Sequence, residues 1–312
     1  MHSIISILPK KISNYLSGLP AERWDTIEEI RIRTGKPVEI SAGASYELLP
    51  LIVNEEDSAQ LLGQLTKFSI YAMEEELKRG YITVQGGHRV GIAGKVILDG
   101  GLVKAITHIS SFNIRIAKEK VGCAEKLIPY LYKEGWKNTM IIGPPQAGKT
   151  TVLRDLARVA SGGCPKRSIP ALKTAVVDER SEIAGSVNGI PQLSFGPRID
   201  VLDACPKAEG MMMLIRSMSP DIIIADEIGR QEDAVSVSEA VNSGIKLIIT
   251  VHGHTREDVS RRPAIKELME HGVFERIVVL SRTGNKNFTY EITDRKGRLF
   301  SPEKGVEIGC SR

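Results

Sequence analysis

Long apolar runs are missing from this chain. Crossing a bilayer takes about 18–20 consecutive apolar residues, and stretches such as Met211–Ile215 and Ile222–Ala225 end in polar residues well short of that. The N-terminus has no basic region ahead of an apolar stretch and a small-residue cleavage site, so no secretory signal is expected. Cysteine is sparse: Cys123, Cys164, Cys205 and Cys310 are scattered without a CxxC pair. That argues against a zinc site and a disulfide framework and predicts free thiols in a reducing cytoplasm. Aromatic residues are 5% of the sequence, too few for a stacking platform that holds single-stranded nucleic acid. Charge of one sign is lacking as well. Lys plus Arg number 42 against 38 Asp plus Glu, a net +4, which by itself does not indicate a nucleic-acid partner. What is present is the composition of a core-forming protein, with 42% hydrophobic and 26% charged residues in 312. That length accommodates about two domains, and the composition is not that of a disordered chain.

Residues 1–117 read as a mixed α+β domain. Ile12, Tyr15, Leu16 and Leu19 fall at helical spacing behind Pro9, and proline fits a first helical turn. This helix covers its own domain or touches a membrane protein or lipid. Glu29–Arg33 alternates apolar and charged residues, with Lys36–Ile40 as its hairpin partner across Thr34-Gly35. Residues 57–78 have a helical pattern with a break near Phe68-Ser69. Strands over Tyr81–Val84, His88–Leu98 and Lys104–Ile116 follow, the last two joined by Asp99-Gly100-Gly101, a strong hairpin signal. Residues 118–137 look like a connecting segment with a helix over Ala124–Tyr132. From Asn138 to Arg312 the pattern changes. Thr139–Ile142, Thr174–Val177, Asp221–Ala225, Lys246–Val251 and Arg276–Leu280 are short, mostly apolar runs separated by helical or loop stretches. Such alternation is how a parallel sheet buried on both faces reads, so the fold class is α/β. Met211, Met212, Met213 and Met218 lie on a helix before the third run, either as core or as a flexible partner surface.

The strongest motif is Gly143-Pro144-Pro145-Gln146-Ala147-Gly148-Lys149-Thr150. It matches G-x-x-x-x-G-K-S/T at every fixed position, between an apolar strand and an amphipathic helix opening with Thr150-Thr151. Glycines let backbone N–H groups wrap a phosphate, and the helix N-terminus adds a favourable dipole. Residues 143–151 are therefore expected to cradle ATP. Lys149 would bridge the β- and γ-phosphates, and the Thr150 hydroxyl would meet Mg²⁺. Such a site also needs acid on a second strand. The run from Asp221 ends in Asp226-Glu227: Asp226 is expected to hold Mg²⁺, and Glu227 to orient and deprotonate the attacking water. General-base catalysis is worth on the order of 10²–10⁴-fold. Asp178-Glu179 and His252 also follow apolar runs, and strand carboxyl ends line the crevice of such sheets. Glu179 would position water or metal, and His252 would sense the γ-phosphate. Equally, an acid there is often a helix cap, and a lone histidine is often structural.

With these elements in order, the chain resembles the ATPases of the type II and type IV secretion superfamily. Besides the loop, the resemblance rests on GYITVQGGHRVGIAGKV at 80–96, VDERSEIAG at 177–185, CPKAEGMMMLIRSMSPD at 205–221 and TVHGH at 250–254. It implies a RecA-like ATPase core behind a smaller N-terminal domain, assembled as a homo-hexamer. It implies an acidic box at Asp178–Glu179, a Walker B segment at Asp226–Glu227 and a histidine box at His252. Its sporulation branch further implies a cytoplasmic ATPase on the mother-cell side, peripheral to the membrane through a partner, an integral-membrane component of a sporulation channel complex. Two departures stand out. Many secretion ATPases have glycine where this chain has Asp226, so this segment is nearer the general P-loop form. Many type II members also carry a four-cysteine zinc insertion, which has no counterpart here.

An arginine supplied across an interface can accelerate P-loop hydrolysis by roughly 10³–10⁵-fold. Arg89, Arg115 and Arg198 are the candidates, and Asn113-Ile114-Arg115-Ile116 resembles the segment from which superfamily members supply one. An alternative function is a nucleic-acid-associated P-loop ATPase. No nucleic-acid partner is expected, because little chain follows the Thr289–Phe300 hairpin to form a single-strand-binding domain. A GTP-driven switch is a third class. The guanine-reading N-K-x-D pattern is broken by Phe288 in Asn285-Lys286-Asn287-Phe288.

Overall fold

The computed structural model describes residues 2–43, 45–66, 74–78, 80–283 and 287–300. The expected helix break near Phe68-Ser69, the Asn285-Lys286 pair and Cys310 lie outside them. The chain divides into two compact units. One comprises Met1–Lys118 with Gly185–Val187, and the other Glu119–Ala184 with Asn188–Arg312.

The first unit contains α1 (His2–Ile5), α2 (Lys10–Ser17), α3 (Ala21–Thr26), β1 (Glu29–Arg33), β2 (Pro37–Ala42), β3 (Ser45–Ile52), α4 (Glu55–Leu65), α5 (Glu74–Lys78), β4 (Tyr81–Val84), β5 (His88–Asp99) and β6 (Leu102–Arg115). Its strands form an antiparallel sheet in the order β3-β2-β1-β6-β5-β4. The period-2 alternation sets its two faces. Ile30, Ile32, Val38, Ile40, Phe112 and Ile114 are buried against Ile12, Leu16, Trp24, Leu61 and Leu65 of the helices. The opposite face carries the ion pairs Arg31–Glu29 at 2.9 Å and Arg33–Glu39 at 2.8 Å. Helix α2 is the one the spacing at 12, 15 and 16 predicts, with Pro9 at its N-cap; Leu19 lies beyond its C-cap at Gly18. Helix α4 starts earlier than its apolar pattern. Asn54 Oδ1 accepts the Asp57 N–H, and Asp57 Oδ2 accepts the Asn54 N–H, a reciprocal cap. The β5–β6 turn places Gly100 and Gly101 at φ +57° and +84°, a conformation that glycine adopts without strain. Beyond a register shift at Ala93–Lys95 this hairpin leaves Leu98 and Leu102 exposed.

The second unit contains α6 (Ile128–Leu131), β7 (Thr139–Gly143), α7 (Lys149–Gly162), β8 (Thr174–Asp178), β9 (Ile199–Asp203), α8 (Lys207–Met218), β10 (Ile222–Ala225), α9 (Gln231–Asn242), β11 (Lys246–His252), α10 (Arg256–Ser260), α11 (Pro263–Glu270), β12 (Arg276–Thr283) and β13 (Asn287–Asp294). The sheet order is β13-β12-β7-β11-β10-β8-β9. All neighbours are parallel except β13, which runs antiparallel to β12. Both faces are covered. Ile141, Val176, Ile222, Ile224, Ile248 and Val278 pack with α7 on one side. Met140, Ile142, Val177, Ile223, Ile249 and Val251 pack with α8, α9 and α11 on the other. This two-sided burial is why these strands read as continuous apolar runs.

Strand β3 of the first unit was not expected from the sequence, and two features of the second unit differ from the sequence expectation. The helix expected over Ala124–Tyr132 is confined to Ile128–Leu131. Proline has no N–H to donate, so Pro129 belongs in a first turn and a helix cannot run through it from Ala124 without losing a bond. The preceding residues are instead held by Asp155 of α7, whose carboxylate accepts the N–H groups of Gly122 and Ala124 at 3.1 and 2.8 Å. Strand β9 was not expected. It occupies the sheet edge, and its residues are all half-buried. The methionines divide: Met211 is buried, whereas Met213 and Met218 are exposed.

Candidate active site

The carboxyl ends of β7, β8, β10 and β11 meet at one end of the parallel sheet, where an open α/β sheet places its ligand crevice. β7 ends at Gly143, and the chain turns over residues 144–148 before entering α7 at Lys149. Gly148 takes φ +80° in the left-handed region and opens the helix, with no side chain capping it. The first-turn N–H groups of a 14-residue helix are thus left to the cleft, the usual setting for an anion. The loop folds tightly over Gly143: a Cβ there would lie 3.1 Å from Ala147 Cβ and 3.2 Å from Lys149 Cγ. The cleft has a volume of about 510 Å³, and Gln146, Lys149, Thr150, Arg180, Glu227 and His252 are among its walls.

Lys149 is buried. Its ammonium donates to the carbonyls of Gly143 (2.8 Å) and Pro144 (3.0 Å) and lies 3.2 Å from His252 Nδ1. Burial pushes its pKa below the usual lysine range, while Asp226 and Glu227 pull it back. The loop and the acid pair meet directly: Thr150 Oγ1 donates to Asp226 Oδ2 at 2.7 Å. Strand β11 lies between β7 and β10, and its residues make the bridge. Thr250 Oγ1 accepts the Glu227 N–H at 2.8 Å and donates to Asp226 Oδ1. Two residues on, and therefore on the same side of the strand, His252 Nε2 lies 2.5 Å from Glu227 Oε1. The other Glu227 oxygen pairs with Arg180 at 2.8 Å. Glu227 itself has φ +56°, left-handed for a non-glycine residue.

The Asp178–Glu179 pair divides. Asp178 is buried, and its carboxylate accepts the N–H groups of Glu182, Ile183 and Ala184 at 2.8, 3.0 and 2.8 Å. Burial raises its pKa despite those bonds. It anchors the following turn. Glu179 pairs with Lys207 and borders a smaller hollow shared with Asp226 and Glu227. The same turn is tied to α7, where Arg154 donates to the carbonyls of Ile183 and Glu182 at 2.7 and 2.6 Å. Of the candidate arginines, Arg115 lies in the other unit, 3.4 Å from Glu29. Arg89 lies 3.9 Å from the Tyr81 ring centre, and Arg198 donates to the Ala171 carbonyl. Thr250, Arg180, Arg154 and Lys207 were not singled out in the sequence. For Thr250 a signal existed, since period 2 puts it on the same side of the strand as His252. For Arg180 there was only its place one residue after the acidic pair.

The family described as "Sporulation stage III, protein AA" matches residues 1–300. Stage III sporulation protein AA of Bacillus subtilis (strain 168) is 50% identical over 307 residues, covering 98% of this chain and 99% of that one. Protein SEEDLING PLASTID DEVELOPMENT 1 of Arabidopsis thaliana is 28% identical over 186 residues, 59% of this chain and 26% of its own length. Among solved structures, the Legionella pneumophila ATPase DotB is similar with a TM-score of 0.59 and 14% identity, over 91% of this chain and 80% of that one. The pilus retraction motor PilT, solved with bound ADP, gives 0.60 and 15% over 88% and 81%. These likenesses show the fold, a RecA-like α/β core accompanied by a smaller mixed α+β unit.

Proposed function

The chain belongs to the sporulation stage III protein AA family, and from that premise we propose that it is an ATP-hydrolysing motor acting in sporulation. The observation that carries this reading is the 2.7 Å bond between Thr150 of the loop and Asp226 of the acidic strand end. It brings phosphate-binding backbone and a carboxylate to one point. A hydroxyl and a carboxylate are the hard oxygen donors that suit Mg²⁺, so Thr150 and Asp226 are the residues that would hold it. Mg²⁺ bound there neutralises charge on the phosphates.

The loop and first helical turn over residues 143–151 bind the triphosphate through the N–H groups that follow Pro144-Pro145, and Lys149 exchanges its loop carbonyls for phosphate oxygens. Glu227 accepts the proton of the attacking water. His252, reaching both Lys149 and Glu227, relays the state of the terminal phosphate to the base. Glu179, paired with Lys207, positions water or metal from the hollow it shares with Asp226 and Glu227. Residues 138–312 act as the ATPase domain and 1–117 as the domain it moves, with 118–137 connecting them. The finer reading is a cytoplasmic homo-hexamer on the mother-cell side. It pushes on an integral-membrane component of a sporulation channel complex, and Arg115 serves a neighbouring copy. DotB and PilT are described as an ATPase and a motor, which supports the ATPase part of this reading.

Steady-state phosphate release by the full-length protein tests it. Lys149→Ala and Glu227→Ala should each lower turnover by on the order of 10²-fold or more. Turnover equal to wild type in both would defeat the mechanism.

A further inference from the structure

The turn after β8 is built more rigidly than a surface connection needs. Asp178 takes three backbone N–H groups from it, and the Ser181 hydroxyl donates to Asp203 at 2.7 Å. Arg154, projecting from the helix that the phosphate loop opens, holds its far side by two carbonyls. Arg180 stands between these anchors. Its base is therefore fixed relative to α7, while its side chain is 60% exposed. The guanidinium lines the same cleft as Lys149 and Thr150 and pairs with Glu227.

We propose that Arg180 is the cation, supplied within the same chain, that distinguishes a triphosphate from a diphosphate in this cleft. The inference rests on the nucleotide reading above and specifies how that site is read. Lys149 lies deep, on the carbonyls of the loop. Arg180 lies on the Glu227 side, where the terminal phosphate must face the water that Glu227 activates. A guanidinium fork matches phosphate oxygens in two parallel hydrogen bonds. A terminal phosphate arriving there takes the fork from Glu227, and the freed carboxylate becomes available to the water. A diphosphate has no group at that position and leaves the Arg180–Glu227 pair intact.

The test is equilibrium binding of a non-hydrolysable ATP analogue and of ADP, each with Mg²⁺, to the full-length protein carrying Arg180→Ala or Arg180→Lys. Thermal unfolding confirms that each variant is folded. Charged hydrogen bonds of this kind lead us to expect Arg180→Ala to weaken the triphosphate analogue about tenfold or more while ADP changes by less than about twofold. Arg180→Lys should recover part of the loss, since it keeps the charge but not the fork. Equal weakening of both nucleotides, or of neither, would overturn the role of Arg180 and leave the nucleotide site standing. Failure of the wild-type protein to bind either nucleotide would overturn the site, and this inference with it.

Discussion

The Thr250 hydroxyl accepts a hydrogen bond from the Glu227 backbone and donates one to Asp226. It does so from a fully buried position on the strand between the loop strand and the acidic strand. A non-glycine residue in the left-handed region costs about 1–2 kcal/mol, and Glu227 is held there with its N–H on Thr250. Thr250→Val keeps the shape and removes both bonds. Small displacements of catalytic groups cost up to about 10²-fold. Turnover should therefore fall by roughly one to two orders of magnitude, with half-activation at higher Mg²⁺, and Thr250→Ser should restore both. A Mg²⁺ titration of turnover that is the same for wild type and Thr250→Val would contradict this. The loop and the acid pair were legible because each stands at an abrupt change from apolar strand to polar residues. Thr250 was hidden because it lies inside an apolar run, where a threonine reads as an ordinary β-branched strand residue. Arg180 was hidden by the acids before it, which drew the chemistry to Glu179.

At the scale of elements, legibility followed burial. Strands β7, β8, β10, β11 and β12 were read from their apolar runs because helices cover both faces of their sheet. Strand β9 was missed because IDVLD at the sheet edge is half-buried throughout and its acids, Asp200 and Asp203, interrupt any apolar run. Residues 124–132 failed differently. Their apolar residues do have helical spacing and are buried with α7, but Pro129 and the grip of Asp155 restrict the helix to four residues. Asp155 thus fastens the chain before β7 to the helix after it, and also pairs with Arg158 at 2.7 Å. Asp155→Ala leaves two backbone N–H groups of that turn without their acceptor. It should lower the unfolding free energy by about 2–4 kcal/mol, measured by denaturant titration. A loss under about 0.5 kcal/mol, the size of a neutral surface change, would show that the turn does not depend on it.

At the scale of the whole molecule, each unit has its own core. Trp24 is buried in the first and Trp136 in the second. The first unit's sheet is half-buried and alternates apolar with charged residues, whereas the second unit's sheet is buried on both faces. That contrast made the change of pattern near residue 138 visible. The order β12-β7-β11-β10-β8 was not legible, because a sequence of runs does not say which strands pair. Yet this order inserts β11 between the loop strand and the acidic strand, and so gives Thr250 and His252 their places. The central claim is that a triphosphate is held where α7 begins, with Glu227 acting on it chemically and not in binding. Calorimetric titration of ATP with Mg²⁺ into the full-length wild type, Lys149→Ala and Glu227→Gln measures this directly. Glu227→Gln should bind within about threefold of wild type, and Lys149→Ala about tenfold or more weakly, because only the lysine loses a charged hydrogen bond to phosphate. Binding by Lys149→Ala as tight as wild type would contradict the account.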